Sequence, residues 1–298
     1  MARNLGNVAA APFPVRPCGF HELIRDEAWG ARDCVCGLGI RARRSQGVHP
    51  RARIAVILSG TFQARSSQGE MLVGPGTFLL GNAAAEYEYR HVDDGGDRSL
   101  VFDYGEALLE EVGRSLGVHV RGGRSFGRVA VPASPGSVRA VALAHEALRD
   151  GGREALREAA LLGAQVVLSE QNGGVHAVAE PSATQVRQVA RLIRYIEAHS
   201  AGDCSLDALA ALAGLSRFHF LRIFQRQTGQ TPRQFVIATR LRVAATTLRT
   251  TRLPVTQVSL DAGFGDLSHF TTSFTQAFGA SPRAYRLRHA PRPSSRRG

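Results

Sequence analysis

From Ser205 onward, apolar and polar positions recur with the period of a helix, and the recurrence is stated twice. Leu206, Leu209, Ala210 and Ala213 fall on one helical face, and Ala210 is small enough to let another helix approach. Gly214 ends this first helix, because glycine tolerates the left-handed backbone of a tight corner, and Ser216 is placed to cap the next one. That second helix, Arg217 to about Gln227, turns Phe220, Ile223 and Phe224 inward and leaves positions 218, 221, 222 and 226 outward. The second statement repeats the scheme. Val255, Val258 and Leu260 to Ala262 form a supporting helix, Gly263 makes the corner and Phe264 plugs the core beside it. A helix from about Asp266 to Phe278 then buries Phe270, Phe274 and Phe278, exposing Leu267, Ser268, Thr271 and Thr272. Between the two units, residues 232 to 249 read as one polar helix about 25 Å long, and Ser281-Pro282 marks a stop and restart.

Earlier in the chain the period changes from 3.6 to 2. Between about Phe20 and Tyr104, RIAVILSGTFQAR, MLVGPGTFLLGN, EYEYRHV and RSLVFDY are short apolar or alternating runs separated by Gly, Asn and Asp clusters. Such runs with a Gly-Pro-Gly turn predict a small β-barrel or jelly roll. VRAVALAHEALRD and REALREAALLGAQVVLSE then predict two helices joined at Asp150-Gly151-Gly152. Leu156, Ala160, Leu161, Ala164 and Val167 or Leu168 make a stripe wide enough to pack on both the barrel and a partner.

The fold class expected is therefore an α+β multidomain chain, with a β-barrel and helical hairpin first and an all-α domain with two helix-turn-helix units last. Its parts are an N-terminal arm (1–19), a β domain (20–135), the hairpin (136–170), a Gly- and Pro-containing linker (171–183), the helical domain (184–290) and a short basic tail (291–298) expected to be disordered.

Charge sharpens the division. The chain carries 37 basic and 25 acidic residues, a net +12, and from Pro181 onward there are 17 arginines against 5 acids, also +12. The whole excess sits on the helix-turn-helix part, where neutralising phosphates requires it. No lysine occurs anywhere, a fact for which we have no physical account. No run of about 18 apolar residues is present to cross a membrane, and the first residues lack an apolar signal segment, so a cytoplasmic protein is expected. Four cysteines, at 18, 34, 36 and 204, suit a reducing compartment better than a disulfide framework.

GFGDLSHFTTSFTQAFGASPRAYR resembles the signature of the AraC/XylS family of bacterial transcription regulators, and LAALAGLSRFHFLRIFQRQTGQTP resembles that family's first helix-turn-helix. The likeness covers the last third of the chain and rests on spacing, corner glycines, aromatic anchors and the closing Pro-Arg-Ala-Tyr-Arg together. GEMLVGPGTFLLGN looks, more weakly, like the second motif of a cupin, the usual N-terminal sensor of such regulators. The resemblance implies a regulator without catalysis that binds promoter DNA, works with RNA polymerase and answers to a small-molecule effector; in the family the hairpin often mediates dimerisation, the alternative being that it only covers the barrel. One subunit would place its two reading helices in successive major grooves, roughly 34 Å apart.

The DNA-facing residues expected are Arg217, Phe218, Leu221, Arg222 and Arg226 in the first unit and Leu267, Ser268, Thr271 and Thr272 in the second. Arg222 is the candidate base reader, since a guanidinium can bond guanine O6 and N7 together. Arg226, a turn further along, suits phosphate. Phe218 and Leu221 suit thymine methyls, with core packing as the bland alternative for Phe218. The family pattern often has arginine where Thr272 stands, so the first unit is expected to read sequence more strictly.

In the β domain, His49 and Tyr87 are the effector-pocket candidates. His49 stands alone in VHPRA, so clustered histidines for an oxygenase metal are missing and neither cofactor nor metal is expected. Cys34 and Cys36 share one strand face. They are either idle buried thiols, the commoner case, or a thiol sensor or soft-metal site with His49 or His91. The other class of reading is an enzyme, a working cupin or a DNA alkyl-transfer domain beside the DNA-binding unit. The latter wants a Pro-Cys-His-Arg pattern, and Arg16-Pro17-Cys18-Gly19 lacks the histidine.

Overall fold

Two antiparallel sheets form the N-terminal part of the computed structural model, which describes residues 18–120, 125–150, 152–170 and 182–289. The strands are β1 (Gly19–Arg25), β2 (Trp29–Cys36), β3 (Ser45–Val48), β4 (Ala52–Gly60), β5 (Phe62–Ser66), β6 (Gly69–Val73), β7 (Phe78–Gly81), β8 (Glu86–His91), β9 (Asp97–Tyr104) and β10 (Ala130–Val131). One sheet runs β1-β2-β9-β4-β7-β10 and the other β3-β8-β5-β6. The expected barrel does not close. The chain instead crosses between open sheets at corners, the first at Gly60, whose φ of 80° lets β4 leave β9 and continue as β5 beside β8.

Alternation along β4 explains the layers. Ile54, Val56 and Leu58 face α1 (Glu106–Ser115), α2 (Pro135–Asp150) and α3 (Arg153–Ser169), where Leu109, Val141, Ala144, Leu156, Ala160, Ala164 and Val167 complete the main core. Ala55 and Ile57 point the other way, into a smaller core with Phe62, Val73, Leu79 and Val101 between the sheets. The hairpin stripe expected to serve a partner is therefore largely consumed inside the chain: Leu156, Ala160, Ala164, Val167 and Leu168 are buried against the sheet, and Leu161 packs at the margin.

The C-terminal part is helical: α4 (Ala183–His199), α5 (Leu206–Ala213), α6 (Arg217–Thr228), α7 (Pro232–Thr250), α8 (Val255–Asp261), α9 (Leu267–Phe278) and α10 (Pro282–His289). Ser182 starts α4 with a capping box, and Thr231 with Gln234 does the same for α7. Among the described residues no helix is long and apolar enough to cross a membrane. The arm before Cys18, most of the linker (171–181) and the tail from 290 lie outside the described residues.

The two parts are packed on each other. Val138 and Ala142 of α2 enter the core built by α7, α8 and α9. The buried Gly74-Pro75-Gly76 turn lies against the helical part, with Ile193 of α4 3.5 Å from where a Cβ on Gly74 would sit and Arg242 of α7 3.0 Å from that of Gly76. Asp93, in the β8–β9 turn, accepts from Thr61 Oγ1 at 2.8 Å and from Arg194 Nε of α4 at 2.7 Å, with a second contact from the Arg194 Nη2.

Candidate nucleic-acid interface

The first unit follows its sequence closely. Gly214 closes α5 in the left-handed region at φ 64°, and the Ser216 hydroxyl accepts from the His219 N–H to open α6. Phe220, Ile223 and Phe224 are buried, so the remaining face of α6 is presented outward. Phe218 is 81% exposed, which excludes core packing for this ring. Arg217, Arg222 and Arg226 are exposed, and α6 carries no acid. Arg217 meets Asp207 of α5 at 3.3 Å, a pair open to solvent on both sides. Leu221 is half-buried rather than fully outward, lying on the wall of a mainly apolar cleft with Val236, Ile237 and His269.

In the second unit, Gly263 has φ 88° and Phe264 packs behind it. Asp266 caps α9 by accepting from the His269 N–H at 2.6 Å. Phe264, Phe270, Phe274, Phe278 and Tyr285 form a continuous aromatic file, with neighbouring centroids 4.3 to 5.5 Å apart. Leu267, Ser268 and Thr272 are exposed and Thr271 is half-buried. His269 is exposed with its ring tilted against Phe264. Leu260 departs from expectation: it is 61% exposed, because in the short α8 Val258 together with the following Ala262 already fills the inward face.

The site has a neighbour that the sequence did not disclose. α6 forms one side of a cleft of about 1020 Å³ whose other side is Gln63, Glu70, Met71, Leu72, Arg128 and Pro132 of the sheet part. The tip of α6 closes on it, since a Cβ on the left-handed Gly229 would meet Pro132 and would sit 3.3 Å from Met71. On α4, burial raises the Glu197 carboxyl to about 7 against the pull of Arg242 and Arg194, and burial lowers the Arg242 guanidinium.

The sheet-part candidates are brought together but are not free. His49 is 2% exposed, stacks on Tyr87 at 4.4 Å and lies 3.5 Å from Tyr89 Oη. Its Nδ1 has no partner among the described residues, and burial with the nearby Arg53 pushes it down to about 4. Tyr87 is half-buried and reaches an open cleft of about 590 Å³ with Gln46, Val48, Arg65 and Glu88.

The cysteines correct the expectation that none of them pair. Cys18 and Cys36 are joined in a disulfide, because the register Gly19↔Val35 sets them opposite each other across β1 and β2. Cys34 does share a strand face with Cys36, but it packs into the inter-sheet core, where burial pushes its thiol up to about 11. Cys204 is a buried free thiol.

Two cornered helix pairs with capped, outward-facing second helices and a shared cationic surplus define a sequence-reading DNA-binding protein. Residues 209–288 match the family model of a helix-turn-helix domain. The transcriptional activator NphR of a Rhodococcus species is 28% identical over 247 residues, covering 80% of this chain and 70% of that protein. The regulatory protein SoxS of Salmonella typhimurium is 32% identical over 97 residues, 33% of this chain and 91% of SoxS. Other relatives are spanned over much less of their length, 33% in the case of a right origin-binding protein. A solved AraC family regulator from Rhodopseudomonas palustris is 32% identical, with a TM-score of 0.33, covering 35% of this chain and 98% of that one. The chain belongs to the AraC family of DNA-binding transcriptional regulators, a family of transcription factors rather than of enzymes.

Proposed function

We propose that this regulator reads its operator with α6 and α9 in successive major grooves, that α6 is the stricter reader, and that the sheet part answers to a small-molecule effector. The observation carrying the first part is the outward face of α6, where Phe218, Arg222 and Arg226 stand exposed on a helix without acids. Arg222 takes the guanine edge, Arg226 and Arg217 the phosphates, and Phe218 with the half-open Leu221 the thymine methyls. On α9, Leu267, Ser268, Thr271 and Thr272 supply weaker and uncharged contacts. α7, 19 residues and about 28 Å long, holds the two units apart.

The effector would enter where Tyr87 lines the open cleft, with His49 behind it, and would act through the contact of β6 with α6. The activator title of NphR supports activation as the outcome; the cytoplasm as its place and RNA polymerase as its partner are carried over from the family resemblance. A homodimer fits the family, using surfaces other than the consumed stripe of α3.

Binding to the operator and to random DNA as a function of salt tests the reading. Arg222→Ala is expected to weaken specific binding by about 1–3 kcal/mol and to relax one base position. Arg226→Ala is expected to weaken both DNAs alike and reduce the salt slope by about one. Equal loss on both DNAs for Arg222→Ala, or larger single-base penalties beneath α9 than beneath α6, would reverse the assignment.

A further inference from the structure

Cys36 ends β2 in one sheet, His91 ends β8 in the other, and Cys18 precedes β1 directly across from Cys36. Their ligand atoms, two Sγ and one imidazole nitrogen, all lie within 4.8 Å of one another. Cys36 Sγ is 3.4 Å from His91 Nε2. Thiolate and imidazole on one tetrahedral zinc ion, bonded at about 2.3 and 2.1 Å, stand about 3.5 Å apart, so this edge already has the right length. The other ring nitrogen, Nδ1, is 3.6 Å from Oδ1 of Asp97, whose carboxylate is buried. Asp97 stands on that side, a few tenths of an ångström beyond hydrogen-bond distance; closing that gap would hold the proton on Nδ1 and leave the Nε2 lone pair for a metal, the arrangement that backs metal-bound histidines.

We propose that, once its disulfide is reduced, the Cys18–Cys36–His91 cluster binds one thiophilic divalent metal ion of the zinc class, with Asp97 as the positioning residue. The chemistry balances in two steps. A dithiol reductant gives two electrons and two protons to the disulfide, which becomes two thiols while the reductant is oxidised to its own disulfide. Metal binding then releases the two thiol protons and forms two metal–sulfur bonds and one metal–nitrogen bond. Three protein ligands leave the fourth tetrahedral position to water on the side of Cys18, which is exposed. Soft sulfur with imidazole selects zinc-class ions over magnesium or calcium.

The test uses the full chain, reduced anaerobically with a dithiol and titrated with Zn²⁺ against a chromophoric chelator, with Co²⁺ as a spectroscopic substitute. One zinc per reduced chain, none per oxidised chain and thiolate-to-cobalt charge-transfer absorption are expected. Cys18→Ser and His91→Asn should abolish uptake, and Cys34→Ser should leave it intact. Asp97→Asn should keep the stoichiometry and weaken affinity by about 10- to 100-fold. Cys18 is exposed, so its variant keeps the test valid even if His91→Asn misfolds. Absence of stoichiometric uptake by the reduced protein, or uptake that survives Cys18→Ser, overturns the proposal and leaves the cluster as a disulfide with a neighbouring histidine.

Discussion

Removing the carboxylate of Glu146 tests how firmly the two parts of the chain are joined. Glu146 lies on α2 and Arg249 near the end of α7; Nη1 is 3.4 Å from Oε2, with side chains 16% and 5% exposed respectively. The other carboxylate oxygen is 3.4 Å from His289 Nδ1, and Arg249 Nε has no hydrogen-bond partner among the described residues. An exposed pair would contribute about 0–1 kcal/mol. Here Glu146→Ala strands an enclosed guanidinium, and such losses run to about 3–5 kcal/mol. We expect about 3 kcal/mol, the lower end, because Arg249 keeps a side-chain hydrogen bond with Tyr285. Combining Glu146→Ala with Arg249→Met removes the stranded charge and should recover most of the loss. Urea unfolding followed by far-ultraviolet circular dichroism reports the helices, while the single tryptophan, Trp29, reports the sheet part. A loss below about 1 kcal/mol, or a double variant no more stable than the single one, would refute the reasoning.

Acid should also destabilise the fold through His49. Its imidazole is pushed down from 6.5 to about 4, so the folded state favours the neutral ring, and the stability this supplies is full above pH 6.5 and lost as pH falls through about 4. The shift corresponds to about 3 kcal/mol; wild type minus His49→Phe in urea midpoints should show that slope, and parallel profiles would count against it. Glu197 slopes the opposite way: raised from 4.5 to about 7, it contributes stability present below pH 4.5 and lost as pH rises through 7, which Glu197→Gln should flatten. Ser216→Ala should cost about 1 kcal/mol by leaving the His219 N–H uncapped, measured by thermal unfolding, with an unchanged midpoint as the contrary result. Gly214→Ala should cost a similar amount, about 1 kcal/mol, from backbone alone, because a Cβ there meets nothing within 4 Å.

Helices of the C-terminal part were legible because their signals are local. Ser216, Gly214 and Gly263 fix ends within a few residues, and the phenylalanines of α9 fix a face. The sheet part depends on pairing between distant strands, which no local pattern records. Strand runs from β4 to β9 could be read, but their sharing between two open sheets could not. The disulfide was hidden for the same reason, since only the β1–β2 register reveals that Cys18 faces Cys36. α1 went unread because it offers few inward residues, chiefly Leu109 and Val112, and its N-cap, Gly105, makes no side-chain bond. The cleft beside α6 belongs to tertiary packing; a Met71 or Pro132 carries no mark of what it will touch.

α2 is a helix with two allegiances. Val141 and Ala144 serve the sheet core, while Val138 and Ala142, on its other side, are stitched into the aromatic file of the second reading unit. Cutting the chain between 171 and 181 would therefore leave two fragments that still hold together. A piece beginning at Ser182 would carry a bared apolar seam along α7 and α9, and would seek a substitute for the missing helix, another copy of itself included.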